Sequence, residues 1–318
     1  MAAAAESRPA AAYYAVLLAA TFLMGSSFIA GKVLLATTPP LALVGWRFFV
    51  AALATLPLAL ALERTPRGVG LVPAAAGRGR TWALVFVIGL LQTAGVMGFL
   101  FLSMETLSSS TAAILLFTNP LWVALLGRLF LKEPLHRGRL VGLAVGIVGV
   151  VLAIGATPLG ALQGEVLGLL SSLCFAGSTV LAKRTRPALG SWSLSFWQML
   201  AGSIVLLAIA YAAGEKWPAH TTYAEWVWFA WLAVPASTGS FGLWFVALRL
   251  GGATRSSGFL FLAPLFAVIL SHLVLGTVLS WTQAAGGIAI GLAIYLINRE
   301  PAAPRALSQP KDKQRRYA

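Results

Sequence analysis

The chain has 318 residues, 59% of them apolar and only 10% charged, with a mean hydropathy of +0.85. A soluble globular domain carries about 25% Asp, Glu, Lys and Arg, so this composition excludes an ordinary soluble enzyme and makes lipid the solvent for most of the chain. The 23 bases outweigh 9 acids to give a net charge of +14, which in a soluble chain would point to nucleic acid; here the placement of the charges decides.

A helix needs roughly 20 mostly apolar residues to cross the ~30 Å hydrocarbon layer. Ten such runs, bounded by charge or by Pro/Gly clusters, follow one another at 13–35, 40–62, 82–103, 108–131, 139–157, 163–183, 191–213, 226–248, 254–276 and 280–298. The division of 82–131 rests on Glu105 and the cluster Ser108, Ser109, Ser110 and Thr111, a good helix N-terminus. The predicted fold is all-α, a polytopic membrane protein of ten transmembrane helices with a short segment 1–12 before them and a basic tail, 299–318, after them. The first span has no small-residue cleavage site before the next loop and reads as retained rather than as a signal peptide. Cys174 lies inside an apolar segment, which leaves no disulfide framework and no thiolate metal site.

Lys and Arg fall in alternate loops. Arg64, Arg67, Arg78 and Arg80 lie between spans 2 and 3; Arg128, Lys132, Arg137 and Arg139 surround the next such loop. Lys183, Arg184 and Arg186, then Arg249 and Arg255, and finally Arg299, Arg305, Lys311, Lys313, Arg315 and Arg316 of the tail continue the series, with Arg8 on the same side. The opposite loops have Lys216, with Lys32 and Arg47 just within span ends. The positive-inside bias puts both termini of this multi-pass chain in the cytoplasm, and the expected location is the cell (inner) membrane. The excess charge is therefore topology, with anionic lipid as its partner rather than nucleic acid.

Sliding the sequence by 144 residues superimposes spans 3–5 on 8–10: Gly95, Gly98 and Phe101 fall on Gly239, Gly242 and Phe245, and Pro120-Leu121 falls on Pro264-Leu265. Upstream the offset grows by seven or eight, so that Gly25-Ser26-Ser27 faces Gly177-Ser178-Thr179 and Trp46-Arg47 faces Trp197-Gln198. Residues 13–157 and 163–298 thus form two copies of one five-span unit. Five is odd, so the second copy enters the membrane from the other side, the inverted-repeat design of many secondary transporters.

Each half resembles the EamA-type repeat of the drug/metabolite transporter superfamily. The shared features are a Gly-Ser first helix, the aromatic-Arg pair Trp46-Arg47, and Asn119-Pro120-Leu121 leading to the turn Lys132-Glu133-Pro134, with Gly142 and Gly146 in the fifth helix. The resemblance implies ten helices, cytoplasmic termini and a cavity between the halves used to export amino acids, metabolites or drugs. One departure is Gly276-Thr277, where such repeats commonly have Gly-Glu.

Polar groups at membrane depth are costly unless they face a cavity or another helix, so they mark the candidate substrate site. The set comprises Gln92, Thr118 and Asn119, the hydroxyls Ser26, Ser27, Ser178, Thr179, Ser237 and Thr238, and an aromatic wall of Trp197, Trp244 and Phe261. Pro120 and Pro264 each free a carbonyl four residues back, Leu116 or Leu260, which makes them helix-break or gating points. Lys32, Arg47 and Glu105 map toward the external span ends as an ion-paired gate or a carboxylate-binding group; for Lys32, snorkelling is the simpler account. The hydroxyls have the ordinary alternative of bonding a carbonyl one turn back. Trp82, Trp226, Trp228 and Trp281 read as interfacial belt residues, and His272 as a packed neutral histidine.

Several chemistries are missing. The central part of every span lacks Asp and Glu, against a carboxylate-based proton relay or cation site. There is no Gly-Lys-Ser/Thr phosphate loop, and His136, His220 and His272 match no metal spacing. The reading is a secondary permease without cofactor or metal, exporting amino acids or similar small amphipathic metabolites by alternating access. Multidrug or cation efflux and lipid flipping are its alternatives, an intramembrane enzyme or a scaffold being poorer fits. A homodimer is compatible with it.

Overall fold

The computed structural model describes residues 3–63, 71, 78–132, 137–154, 162–185, 189–251, 259 and 262–298. Among them every regular element is helical and none is a strand. In chain order these are α1 (Ala3–Leu34), α2 (Pro40–Leu62), α3 (Arg78–Gly89), a π-helical segment π1 (Leu90–Gly95), α4 (Val96–Thr106), α5 (Ser109–Leu116) and α6 (Asn119–Leu131). There follow α7 (Arg137–Ile154), α8 (Leu162–Thr185), α9 (Ser191–Ala212), α10 (Tyr223–Ala233), a second π segment π2 (Val234–Gly239), α11 (Ser240–Gly251), α12 (Leu262–Leu275) and α13 (Trp281–Asn298).

Among the described residues, six helical stretches are long and apolar enough to cross a membrane: Ala11–Leu34, Pro40–Leu62, Gly79–Thr106, Ser109–Leu131, Leu162–Thr185 and Ser191–Ala212. Shorter apolar helices, Leu140–Leu152 and Leu262–Leu275, accompany them. Leu129, Val151, Leu273 and Ile288 are exposed on the outside, a surface tolerable in lipid and an aggregation hazard in water. The protein is a polytopic helical membrane protein. Trp281 and Trp226 stand at helix ends with exposed rings, as interfacial aromatics do.

Local chemistry sets the ends. Pro40 opens α2 at the position where its missing N–H costs nothing, and Ser108 caps α5 by accepting from the Thr111 amide at 3.1 Å. Thr222 and Glu225 form a capping box at the start of α10. At the other ends, Lys132 after α6 and Gly276 after α12 both take positive φ, 54° and 64°. Glycine adopts that turn without strain, whereas Lys132 does not.

The expected span 108–131 is two helices. Pro120 cannot donate to Leu116, so α5 ends there and α6 restarts at Asn119 with the proline in its first turn. Pro264 likewise sits in the first turn of α12; Leu260 and Phe261, just before it, lie outside the described residues. The rods 78–106 and 223–251 each contain a π segment at corresponding places, since Leu90 and Val234 are 144 residues apart. In π2 Pro235 removes a backbone donor, which accounts for the widened turn; nothing comparable explains π1.

Packing pairs α2 with α9 and α7 with α13; α1 lies against α11 and α12, while α8 lies against α4, α5 and α6. In lipid this association rests on close van der Waals contact and small residues. A Cβ on Gly25 of α1 would lie 2.7 Å from the Ala263 carbonyl of α12, and one on Gly149 of α7 would lie 2.9 Å from the Ile290 nitrogen of α13. The largest core cluster, including Phe28, Phe48, Phe101 and Met199, lies where α1, α2, α4 and α9 meet.

Candidate functional site

Arg47 lies two turns into α2 and is only 3% exposed. Its Nε donates to Ser237 Oγ of π2 at 2.9 Å, and that hydroxyl in turn donates to the Leu232 carbonyl at 2.8 Å. The guanidinium stands 4.7 Å from the ring centre of Phe48 and 5.6 Å from that of Phe101, where aromatic faces attract it. Among the described residues no carboxylate pairs with it and its terminal nitrogens have no hydrogen-bond partner. Next along the same interface, Thr55 of α2 and Thr238 of π2 lie 3.1 Å apart and both donate to the Ala51 carbonyl.

A second polar contact joins π1 to α8. Ser178 donates to Gln92 Oε1 and also, at 2.8 Å, to the Phe175 carbonyl. The Gln92 amide nitrogen has no partner among the described residues. Thr118, at the break between α5 and α6, is 2.7 Å from Ser172 of α8 and bonds the Leu115 carbonyl. Ser26 accepts from Trp231 Nε1 at 3.0 Å and donates to the Leu23 carbonyl. Ser27 and Thr179 bond carbonyls of their own helices, those of Met24 and Phe175.

The sequence-derived residues thus form distinct cross-helix pairs rather than one continuous ring. Asn119 is half-buried and without a hydrogen bond among the described residues. Trp197 belongs elsewhere: its indole donates to the Leu71 carbonyl at 2.7 Å and packs edge-on to Trp82. With Phe86 and Ile204 these two rings line an apolar groove between α3 and α9. Trp244 packs on a separate cluster with Tyr13 and Leu17.

Lys32 satisfies the C-terminal carbonyls of α4, those of Met104 and, at 3.0 Å, Leu107, which the helix dipole favours. Glu105 is exposed nearby on the same helix end. His272 makes a 3.2 Å contact with the Thr277 carbonyl at the surface, and Thr277 Oγ1 lies 2.5 Å from Ser271 Oγ.

Three carboxylates do not stand out in the sequence. Glu63, just past α2, accepts from the Trp192 and Ser193 amides at the start of α9, at 2.8 and 3.0 Å. Glu215, just past α9, accepts from the Ala42 amide at the start of α2 at 2.8 Å. Glu165, in the first turn of α8, is 2% exposed and its Oε1 has no partner among the described residues. Side chains past a span end look like ordinary loop charges, and a cap is visible only once the partner helix is in place.

Polar side chains buried between helices with exposed apolar outer faces define a polytopic membrane protein rather than a soluble binding module. The EamA-like transporter family model matches residues 11–155 and again residues 162–299, and the chain belongs to that family. It is 29% identical over 310 residues to an uncharacterised transporter of Synechocystis, covering 89% of this chain and 88% of that one. Protein PecM of Dickeya dadantii is 30% identical over 223 residues, 69% of this chain and 74% of PecM. A WAT1-related chloroplastic protein of Arabidopsis thaliana is 26% identical over 305 residues, covering 90% of this chain and 69% of that protein. A solved crystal structure shares the fold with a TM-score of 0.61 at 18% identity, covering 92% of this chain and 97% of that one. The family and these names indicate a transporter and not an enzyme.

Proposed function

We propose that this chain is a ten-span secondary permease of the inner membrane, whose two inverted five-span halves, 13–157 and 163–298, rock about a site between them to export amino acids or similar small amphipathic metabolites. The observation that carries the reading is the exchange symmetry of the packing. Swapping the halves turns α1 against α12 into α8 against α5 and α6, turns α11 against α1 into α4 against α8, and leaves the α2–α9 and α7–α13 pairs unchanged. Alternating access requires two states of similar energy open to opposite sides, and inverted halves that trade conformations supply them.

Two matches of one family model, at 11–155 and 162–299, support the duplication. The bias of Lys and Arg toward alternate loops favours cytoplasmic termini and a cytoplasmic Glu63 end of the bundle. Gln92, whose amide nitrogen has no partner among the described residues, and Asn119, which makes no hydrogen bond among them, are the proposed substrate contacts, joined by Thr118, Ser178 and Ser237.

The test is efflux of a labelled amino-acid mixture preloaded into vesicles containing the wild type, Gln92→Ala or Asn119→Ala. Wild-type efflux above empty vesicles, reduced about tenfold in each variant by loss of roughly one buried hydrogen bond to substrate, is the expected result. Equal efflux from all of them and from empty vesicles contradicts both the function and the site.

A further inference from the structure

A guanidinium away from water is costly unless an anion and further hydrogen bonds compensate it. Lys32 places its ammonium on two carbonyls at a helix end. Arg47 has no such arrangement: at 3% exposure it has a single hydrogen bond, from Nε to Ser237, and no carboxylate among the described residues. Its planar terminal nitrogens, the pair that matches a carboxylate in a two-point bond, are the ones without a partner among the described residues.

The position is as informative as the vacancy of those donors. Ser237 lies midway along the rod 223–251, inside π2, and Arg47 belongs to α2 of the other half. The Arg47–Ser237 bond therefore bridges the two halves of the chain. The corresponding residue to Arg47 in the second half is Gln198, a neutral amide that is also buried, so the charge is present on one side of the pseudo-symmetry only. Phe48 and Phe101 flank the guanidinium with apolar faces. Phe101 in turn fills the space left by Gly31 of α1, where a Cβ would lie 2.7 Å from the ring.

We infer that Arg47 and Ser237 form a carboxylate-binding subsite between the halves, which takes the acid group of a substrate with an apolar remainder lying toward Phe48 and Phe101. The inference rests on the transport reading above for its role. Binding can be tested without transport. A carboxylate arriving in a fork on Arg47 replaces the missing counter-charge, and Ser237 holds the guanidinium plane in orientation. A ligand with ammonium but no acid group gains nothing there and meets like charge, so the site discriminates for acids and zwitterions against simple cations.

The experiment is thermal unfolding of the purified full chain in lipid nanodiscs, titrated with sodium isobutyrate, with the uncharged isostere isobutyramide, and with sodium chloride at matched ionic strength. Wild type is expected to gain about 3 °C or more in Tm with isobutyrate over both controls, as binding to the folded state alone requires. Arg47→Gln is expected to lose that difference, Arg47→Lys to keep part of it, and Ser237→Ala to reduce it. Equal response of the wild type to isobutyrate and isobutyramide overturns the subsite, as does a full isobutyrate response in Arg47→Gln. If Arg47→Gln does not assemble, Ser237→Ala decides in the same way: an unchanged isobutyrate response in it overturns the subsite. Absence of amino-acid efflux with an intact isobutyrate response would contradict the proposed function and leave the subsite standing.

Discussion

Glu63 and Glu215 make the same contact at opposite ends of one helix pair. Each carboxylate lies just beyond the C-terminus of its own helix and accepts from free amides at the N-terminus of the other: Glu63 from Trp192 and Ser193 of α9, Glu215 from Ala42 of α2. A carboxylate at a helix N-terminus meets both unsatisfied N–H groups and the positive end of the dipole. The two residues are separated by the same offset as Gly25 and Gly177 in the first spans of the two halves. The α2–α9 pair is thereby fastened at both ends.

Removing either cap is expected to cost about 1 kcal/mol. Glu63→Gln and Glu215→Gln should each lower the midpoint of thermal unfolding, and the double variant should lower it by the sum, because the sites are at opposite ends and share no partner. Gly190 supplies an independent check. A Cβ there would fall 2.1 Å from Glu63 Oε1, so Gly190→Ala should destabilise by at least as much as Glu63→Gln and add nothing to it. Additive loss in that last pair contradicts the cap.

Glu225 predicts a pH effect at the turn before α10. Its carboxylate accepts from Thr37 at 2.6 Å and from the Thr222 amide and hydroxyl at 2.7 and 2.8 Å. The Thr37 hydroxyl foremost, then Thr222, holds it below the usual glutamate range. A depressed acid stabilises the fold above its unfolded value, and that contribution disappears as pH falls through the lower folded value. Protection against hydrogen exchange at the start of α10, taken relative to the intrinsic amide rate at each pH, should therefore fall as the pH drops below the usual glutamate range in the wild type. In Glu225→Gln the exchange should be faster at neutral pH and show less of that acid dependence.

Glu165 has the opposite character. It is enclosed at the start of α8, on the helix face that carries Gly168 and Ser172, and one of its oxygens has no partner. A buried polar atom without a partner costs about 1–3 kcal/mol. Glu165→Leu is therefore expected to unfold at the same temperature as wild type or higher. A substantial drop would mean that the carboxylate holds the fold together.

Apolar runs and Pro/Gly boundaries mark helices in the sequence because membrane thickness fixes the length a span needs; among the described residues six stretches reach that length, while Leu140–Leu152 and Leu262–Leu275 are shorter. The offset of 144 between Pro120 and Pro264 is also the offset between Leu90 and Val234, where π1 and π2 begin. The break of 108–131 at Thr118 was foreseen as a freed carbonyl and became a restart of the helix, since Pro120 fits a first turn at no cost. The site was less legible. Arg47 stood out because charge in a span is costly, and Gln92 and Ser178 were singled out separately, but their pairing depends on helix rotation. Trp197 and Trp244 were placed on the site wall by depth alone, and it is the facing of α9 and α11 that turns them toward Trp82 and Tyr13 instead.

Alternating access requires Thr118 to become reachable from both membrane faces in turn, although here it is fully buried against Ser172. Cys174 is the one native thiol, so Thr118→Cys in a Cys174→Ala background gives a single reporter. Labelling with a membrane-impermeant maleimide applied to right-side-out and then to inverted vesicles should modify that thiol from each side, with preloaded amino acids changing the ratio. Modification from one face alone, at any substrate load, would contradict alternating access.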